Sequence, residues 1–240
     1  MTHYKRIYSQ QARQYQLLVA REDYQANLPV TLSQIRPFDG LEIVDIGAGT
    51  GRLTYLAAPQ ARRIVTCDIS PHMLSVARTV LAETGFDNWC LVAADNRQLP
   101  FPDQSSDLVM AGWSLGHSIG WYPSSWRAEI GRALAEMDRI SRPGGAIIIL
   151  ETLGTNLETP QPPTPGHGEF YRWLEGGLGF EHIWIRTDYR FASVQEAAEL
   201  TRFFFGEEMA ADVLEKQTQI VPECTGIWWR SAGSETLFVR

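Results

Sequence analysis

Apolar positions recur at spacings of three and four through Tyr8, Ala12, Tyr15, Leu18 and Val19, with Gln and Arg between them, which predicts helix across the first forty residues. Pro29 and Pro37 are expected to break that segment. The period then changes. Leu41-Glu42-Ile43-Val44-Asp45-Ile46 is a short apolar run that ends in Gly47-Ala48-Gly49-Thr50-Gly51. A helix over 52–58 follows, stopped by Pro59, so strand, glycine loop and helix open a βαβ unit. Arg63 to Cys67 is a second, β-branched run with Asp68 behind it. Ser70 then supplies an N-cap and Pro71 the first helical position, and Gly85 suits the helix end. Third and fourth strands are read over 89–94, with Asp95 just after, and over 107–113. Ser124 or Ser125 caps a helix that places Trp126, Ile130, Leu134 and Met137 on one face. Arg142-Pro143-Gly144-Gly145 fits a type II turn leading into a fifth strand over 146–150.

Five short apolar strands separated by helices predict an α/β fold: a doubly wound, mostly parallel sheet with helices on both faces and right-handed crossovers. Only twelve residues, including Pro100 and Pro102, separate Ala94 from Asp107, so the third crossover is a loop or one helical turn. After Glu151 the pattern loosens. Residues 154–168 carry four prolines and three glycines, a long connection of the kind that often serves function. Residues 182–191 alternate like a strand, 193–204 read as a capped helix and 225–230 as a further strand. With no internal repeat and no convincing linker, the expected organisation is a helical cap over 1–40 and one domain over 41–240, with a lid-like insertion at 154–175.

Composition narrows this. The chain has 240 residues, 44% of them apolar, and a net charge of −7, values of a globular protein rather than a disordered or fibrous one. No stretch reaches the ~18–20 apolar residues of a membrane span, and no apolar leader is visible. Three widely spaced cysteines fit reduced thiols in the cytoplasm. The acidic balance argues against a nucleic-acid partner, because phosphate attraction needs clustered cations. The five histidines show no ligand spacing, so no metal site is expected.

Ligands of open α/β sheets sit beyond the carboxyl ends of the strands. Gly47, Gly49 and Gly51 let backbone approach a ligand there, Asp68 is placed to accept both hydroxyls of a ribose, and Asp95 to meet an exocyclic amine. A dinucleotide fingerprint needs a small residue where Arg52 stands, and a phosphate-cradling P-loop motif is absent. Asp45, two residues before the first glycine, would repel a pyrophosphate but position a ligand amine. A nicotinamide-dependent oxidoreductase and a cofactor-binding module without chemistry are the alternatives to a transferase.

The stretch 41–150 resembles the class I S-adenosylmethionine-dependent methyltransferases. The matching pieces are VDIGAGTGR (44–52), CDISPHMLSVAR (67–78), AADNRQLPFPDQSSDLVMAG (93–112) and ISRPGGAIIILE (140–151). The third resembles the small-molecule branch that includes quinone-biosynthesis C-methyltransferases. The resemblance implies a Rossmann-like, seven-stranded sheet with an antiparallel last strand inserted between strands five and six. It implies S-adenosyl-L-methionine as cofactor. Asp45, Gly47, Ala48 and Gly49 would hold the methionine moiety, with Tyr15 closing over its carboxylate. Asp68 would bind the ribose, Ile69 and Met73 would pack near the adenine, and Asp95 and Asn96 would contact it. Trp113 would place a carbonyl near the sulfonium. Methyl transfer is an in-line displacement, so alignment and exclusion of water are much of the task. His117, just past strand four, is the candidate general base and a candidate substrate contact, Trp121 and Tyr122 form a candidate wall for a small-molecule acceptor, and Glu151 is a further candidate contact. The acceptor and the oligomeric state stay open.

Overall fold

A computed structural model describes residues 3–233. Helices α1 (His3–Gln10), α2 (Ala12–Val19) and α3 (Asn27–Ile35) precede β1 (Glu42–Ile46) and α4 (Arg52–Ala57). Then come β2 (Arg63–Asp68), α5 (Pro71–Ala82), β3 (Trp89–Ala93), β4 (Ser106–Gly112), α6 (His117–Trp121), α7 (Trp126–Ile140) and β5 (Ser141–Thr155). The last third holds α8 (Pro165–Arg172), which runs into a π-helical turn at Trp173–Gly177, then β6 (Glu181–Arg186), β7 (Tyr189–Arg190), α9 (Val194–Phe205), α10 (Glu207–Lys216), β8 (Ile220–Val221) and β9 (Glu223–Ser231).

Seven strands form one sheet in the order β3-β2-β1-β4-β5-β9-β6. β9 runs antiparallel between β5 and β6, and the β1, β2, β3, β4 and β5 pairings are parallel. This is the Rossmann-like architecture and the inserted antiparallel strand expected from the sequence. The central strands are apolar on both sides because both faces are covered. Val44, Val109, Ile147 and Ile149 pack with Ile130, Leu134 and Met137 of α7. Ile43, Leu108, Ile148 and Leu150 pack with Leu28 and Leu32 of α3 and Leu53 of α4. Two expected caps form, Ser70 Oγ accepting from Met73 N–H (3.3 Å) and Ser193 Oγ from Glu196 N–H (3.1 Å), whereas Ser125 stands at the N-cap of α7 without a side-chain cap bond.

Several boundaries differ, each for a physical reason. Pro29 does not break a helix; it sits in the first turn of α3, where its missing N–H has no intrahelical role. Strand five is three times as long as expected, because the Arg142–Gly145 turn is absorbed as an irregularity in its pairing with β4 and pairing with β9 carries it on to Thr155. Gly144 there has φ +77°, as position i+2 of a type II turn requires. The alternation over 182–191 splits into two strands. Thr187 N–H turns to the Glu223 carbonyl (2.9 Å), while the Asp188 carboxylate takes Glu223 N–H (3.0 Å). The third crossover is a loop.

β9 is held between two neighbours, and Gly226 is its tightest point. A Cβ there would overlap the Trp228 ring and lie 2.9 Å from Leu153. Trp228 is fully buried, so neither neighbour can retreat without disturbing the core. Gly226→Ala is expected to destabilise the fold by about 1–3 kcal/mol. Urea unfolding followed by tryptophan fluorescence checks this, and an unchanged midpoint would contradict the packing described.

Candidate functional site

The glycine loop closes on three other segments at the carboxyl ends of β1, β2 and β4. A Cβ at Gly47 would lie 2.5 Å from Ser114 Cβ and 2.9 Å from Asn96 Nδ2, so only glycine lets the loops after β1, β3 and β4 meet. Ala48 N–H donates to the Cys67 carbonyl (2.8 Å) at the end of β2. A Cβ at Gly49 would face Met73 Cε (3.3 Å) and the Tyr15 ring (3.9 Å), which brings α2 and α5 onto the loop.

Asp68 organises this corner. Its Oδ2 accepts from Gly49 N–H and its Oδ1 from Ser70 N–H, both at 2.8 Å. Burial raises its pKa while the two N–H groups lower it, the first effect being larger. Each oxygen retains a lone pair for a ligand donor. Ile69 beside it is 63% exposed, an apolar side chain held open at the rim. Met73 instead lies buried among Ala12, Val76 and the rings of Tyr8 and Tyr15, and so supports the N-terminal helices as well as the loop.

Asp45 sits deeper. It pairs in register with Thr66, two residues before Asp68 on the neighbouring strand. Its Oδ2 accepts from the Thr54 hydroxyl (2.7 Å) and N–H (3.1 Å), while Oδ1 is buried without a partner. Burial pushes its carboxyl up to about 7. Asp95 is placed differently: Arg97 grips both oxygens, from Nε at 2.8 Å and Nη2 at 2.5 Å, and its own N–H adds a third bond. Those bonds hold the Asp95 carboxyl below its ordinary range. Arg97 also reaches Glu129 (2.6 Å) and lies over the Tyr122 ring, which fixes Tyr122 against the same corner.

The loop after β4 forms the other wall. Trp113 takes the left-handed conformation (φ +49°), uncommon for a bulky residue, and its N–H donates to the Leu150 carbonyl. Ser114 Oγ is buried without a partner. Glu151, at the end of the expected fifth strand, turns inward beneath this loop: Oε1 accepts from Gly116 N–H (2.9 Å). Burial pushes Glu151 up to about 7 although the N–H groups of residues 114–116 oppose the shift. His117 opens α6, stacks on Trp121 (ring centroids 5.1 Å apart, 18° between planes) and shares a 2.9 Å hydrogen bond through Nε2 with the Tyr8 hydroxyl. Burial, helped by the nearby His167, pushes the imidazole down to about 4, so it is neutral at pH 7. Lys5 Nζ sits 5.2 Å over the Trp121 ring.

Tyr8 was not singled out from the sequence, where it is one member of an apolar helical stripe. Arg97 was equally hidden. The structure ties Tyr8 to both walls, since its carbonyl accepts from Ser70 Oγ (2.7 Å) and its ring meets His117 and Tyr15. Among the described residues no group of three His, Cys, Asp or Glu is arranged to hold a metal, and no helix is long and apolar enough to cross a membrane.

Comparison with known proteins agrees with this geometry. Residues 44–149 match the model of the methyltransferase domain family. A ubiquinone/menaquinone biosynthesis C-methyltransferase of Hahella chejuensis is 37% identical over 117 residues, 47% of this chain and 43% of the relative. A demethylmenaquinone methyltransferase of Symbiobacterium thermophilum is 35% identical over 126 residues, 51% of this chain and 46% of the relative. The chain thus spans under half the length of these two relatives in the aligned stretch. Among solved structures, the YcgJ protein of Bacillus subtilis superposes with a TM-score of 0.59 at 16% identity, covering 88% of this chain and all of that one. An S-adenosylmethionine-dependent methyltransferase of Aquifex aeolicus gives 0.52 at 14% identity, covering 84% and 88%; both show the fold. Residues 44–149 are thus similar to the methyltransferase domain family, and the chain has the Rossmann-like fold of these solved structures.

Glu151 generates a prediction of sign. Its pKa is near 7 in the fold and near 4.5 as a free side chain. Between those values the folded protein keeps a proton that the unfolded chain has released, so stability falls as pH rises through that window. Glu151→Gln keeps an acceptor for Gly116 N–H and removes the titration. It is expected to reduce the loss of unfolding free energy between about pH 5 and about pH 8 by roughly 1–3 kcal/mol. Urea titrations at the two pH values measure it.

Proposed function

We propose that the protein transfers a methyl group from S-adenosyl-L-methionine to a small-molecule acceptor. The observation that carries the reading is the pair of buried polar atoms without partners, Asp45 Oδ1 and Ser114 Oγ, at a glycine loop that packs against Ser114 and Asn96. Such atoms are costly unless something satisfies them, and a sulfonium nucleoside with an amino-acid tail has matching groups. When bound, that cofactor supplies a methyl already activated by positive sulfur.

The residues divide the work as follows. Asp45 and the backbone of Gly47, Ala48 and Gly49 hold the amino-acid tail, and Tyr15 closes over it from α2. The spare lone pairs of Asp68 take the ribose hydroxyls. Ile69 covers the adenine, with Met73 supporting the loop beneath. Asp95, kept ionised by Arg97, takes the adenine amine, and Asn96 lies beside it. The Trp113 backbone, in its left-handed turn, would supply a carbonyl on the sulfonium side of the cofactor. His117 is neutral at working pH, as a general base must be, and Trp121 and Tyr122 wall the acceptor. Glu151 positions the 114–116 backbone from below. The helices over 1–40 act as a cap and residues 154–175 as a lid, which keep water from the reacting atoms. The unpaired, mostly buried cysteines support a reducing, cytoplasmic location.

Calorimetry with S-adenosylhomocysteine tests the cofactor site. Asp68→Ala is expected to weaken binding about tenfold or more, because it removes both the ribose contact and the Gly49 anchor. Wild-type protein that fails to bind the nucleoside would refute the reading. For His117, labelled-methyl transfer to an acceptor found by a metabolite screen should show His117→Ala lowering kcat about 10²–10⁴-fold with little change in KM. The acid limb of the wild-type profile should lie near pH 4 rather than at ordinary imidazole values.

A further inference from the structure

β6 is the outer strand on one side of the sheet, with β9 on its inner side and no strand beyond it among the described residues. Exposed edges ordinarily carry proline, lysine or a bulge, because their open N–H and C=O groups pair with any strand that reaches them. β6 reads Glu-His-Ile-Trp-Ile-Arg over Glu181–Arg186 and has none of these guards. Its register with β9 is unbroken, and Ile183 and Trp184 are 43% and 41% exposed. Trp184 stands opposite Gly226, so β9 sets no side chain directly across from its ring.

The open groups of this edge follow from the ladder. Thr187 N–H donates to the Glu223 carbonyl, toward β9. Antiparallel pairs alternate between bonded and non-bonded, so Ile185 and Ile183 also bond inward, while the N–H and C=O of His182, Trp184 and Arg186 point outward. The Arg186 carbonyl accepts from Asn27 Nδ2 (2.9 Å), as that alternation requires, and this contact closes one end of the edge. His182 and Trp184 keep both backbone groups unmatched among the described residues.

A strand that fits here must offer two bonding residues separated by one, and a second β6 does so. About a twofold axis at Ile183, an antiparallel copy sets His182 against the partner's Trp184 and Trp184 against the partner's His182. Both groups of both residues are then satisfied on each strand. Opposite residues share a face, so the exposed Ile183 meets the partner's Ile183 in a non-bonded pair, where antiparallel strands come closest. Trp184 covers the partner's His182. On its own subunit, His182 already lies flat on Trp228 (ring centroids 4.5 Å apart, 14° between planes). No like charges are set opposite, since Glu181 falls across from the partner's Ile185. Moving the axis to Trp184 would instead bring His182 against the partner's Arg186, the residue whose carbonyl Asn27 occupies.

We infer that β6 is a self-association edge, through which two copies of the chain join antiparallel about Ile183 into one continuous sheet. The contact is small, so the dimer is weak and forms at high protein concentration. Sedimentation of the full chain tests it. The wild type should be largely dimeric at about 100 μM and dissociate on dilution. Ile183→Lys and Ile183→Glu each place like charges against each other at the axis and should weaken the dimer at least about tenfold. An equimolar mixture of the two variants sets Lys against Glu and should restore it. Ile183 is exposed in the single subunit, so circular dichroism and melting temperature should match the wild type for both variants. A monomeric wild type at that concentration overturns the inference, even if the edge captures an extended peptide of another protein. So does a single variant that dimerises like the wild type, or a mixture that stays monomeric, since the axis would then lie elsewhere.

Discussion

The carboxyl rim of this sheet depends on Asp68. Its two oxygens hold the N–H of Gly49 and the N–H of Ser70, so one carboxylate joins the glycine loop to the start of the next helix. Ser70 then reaches the Tyr8 carbonyl and Gly49 lies under Tyr15, so the N-terminal helices are referenced to the same point. A parallel sheet brings β1, β2 and β4 to the rim side by side, and short loops there have little else to fix them.

Some of the protein's buried unmatched polar atoms lie at this rim. Asp45, Arg52, Ser114 and Glu223 each keep a buried atom without a partner. In a low-dielectric interior these atoms destabilise the empty protein and strengthen whatever bond a ligand makes with them. Three carboxyls there, Asp45, Glu151 and Glu223, are pushed toward neutrality by burial, whereas Asp95 at the more open corner is held ionised by Arg97. One rim thus offers an ionised acceptor at one end and carboxyls pushed toward neutrality at the other, set by burial and by the presence or absence of an arginine.

Much of the fold was legible because its elements are locally encoded. Runs such as Ile43–Ile46 and Ile147–Leu150 are apolar at every position or nearly so, as strands covered on both faces must be, and Ser70-Pro71 and the glycines mark where the chain turns. The positions of Asp45, Asp68 and Asp95 after successive strands followed from that same reading. What the sequence determined alone is therefore the parallel, doubly wound sheet, the glycine loop after its first strand and the acidic residues beside it.

Only the tertiary structure decided which side chains meet. Tyr8 bonds His117 across 109 residues, and Arg52 pairs with Glu22 from the loop after α2. Glu151 is spent on the 114–116 backbone, and Arg97 claims Asp95. Periodicity and capping act over a few residues, whereas these contacts arise from how crossovers stack the elements. Burial and partner, which set each group's charge, exist only once that stacking is complete.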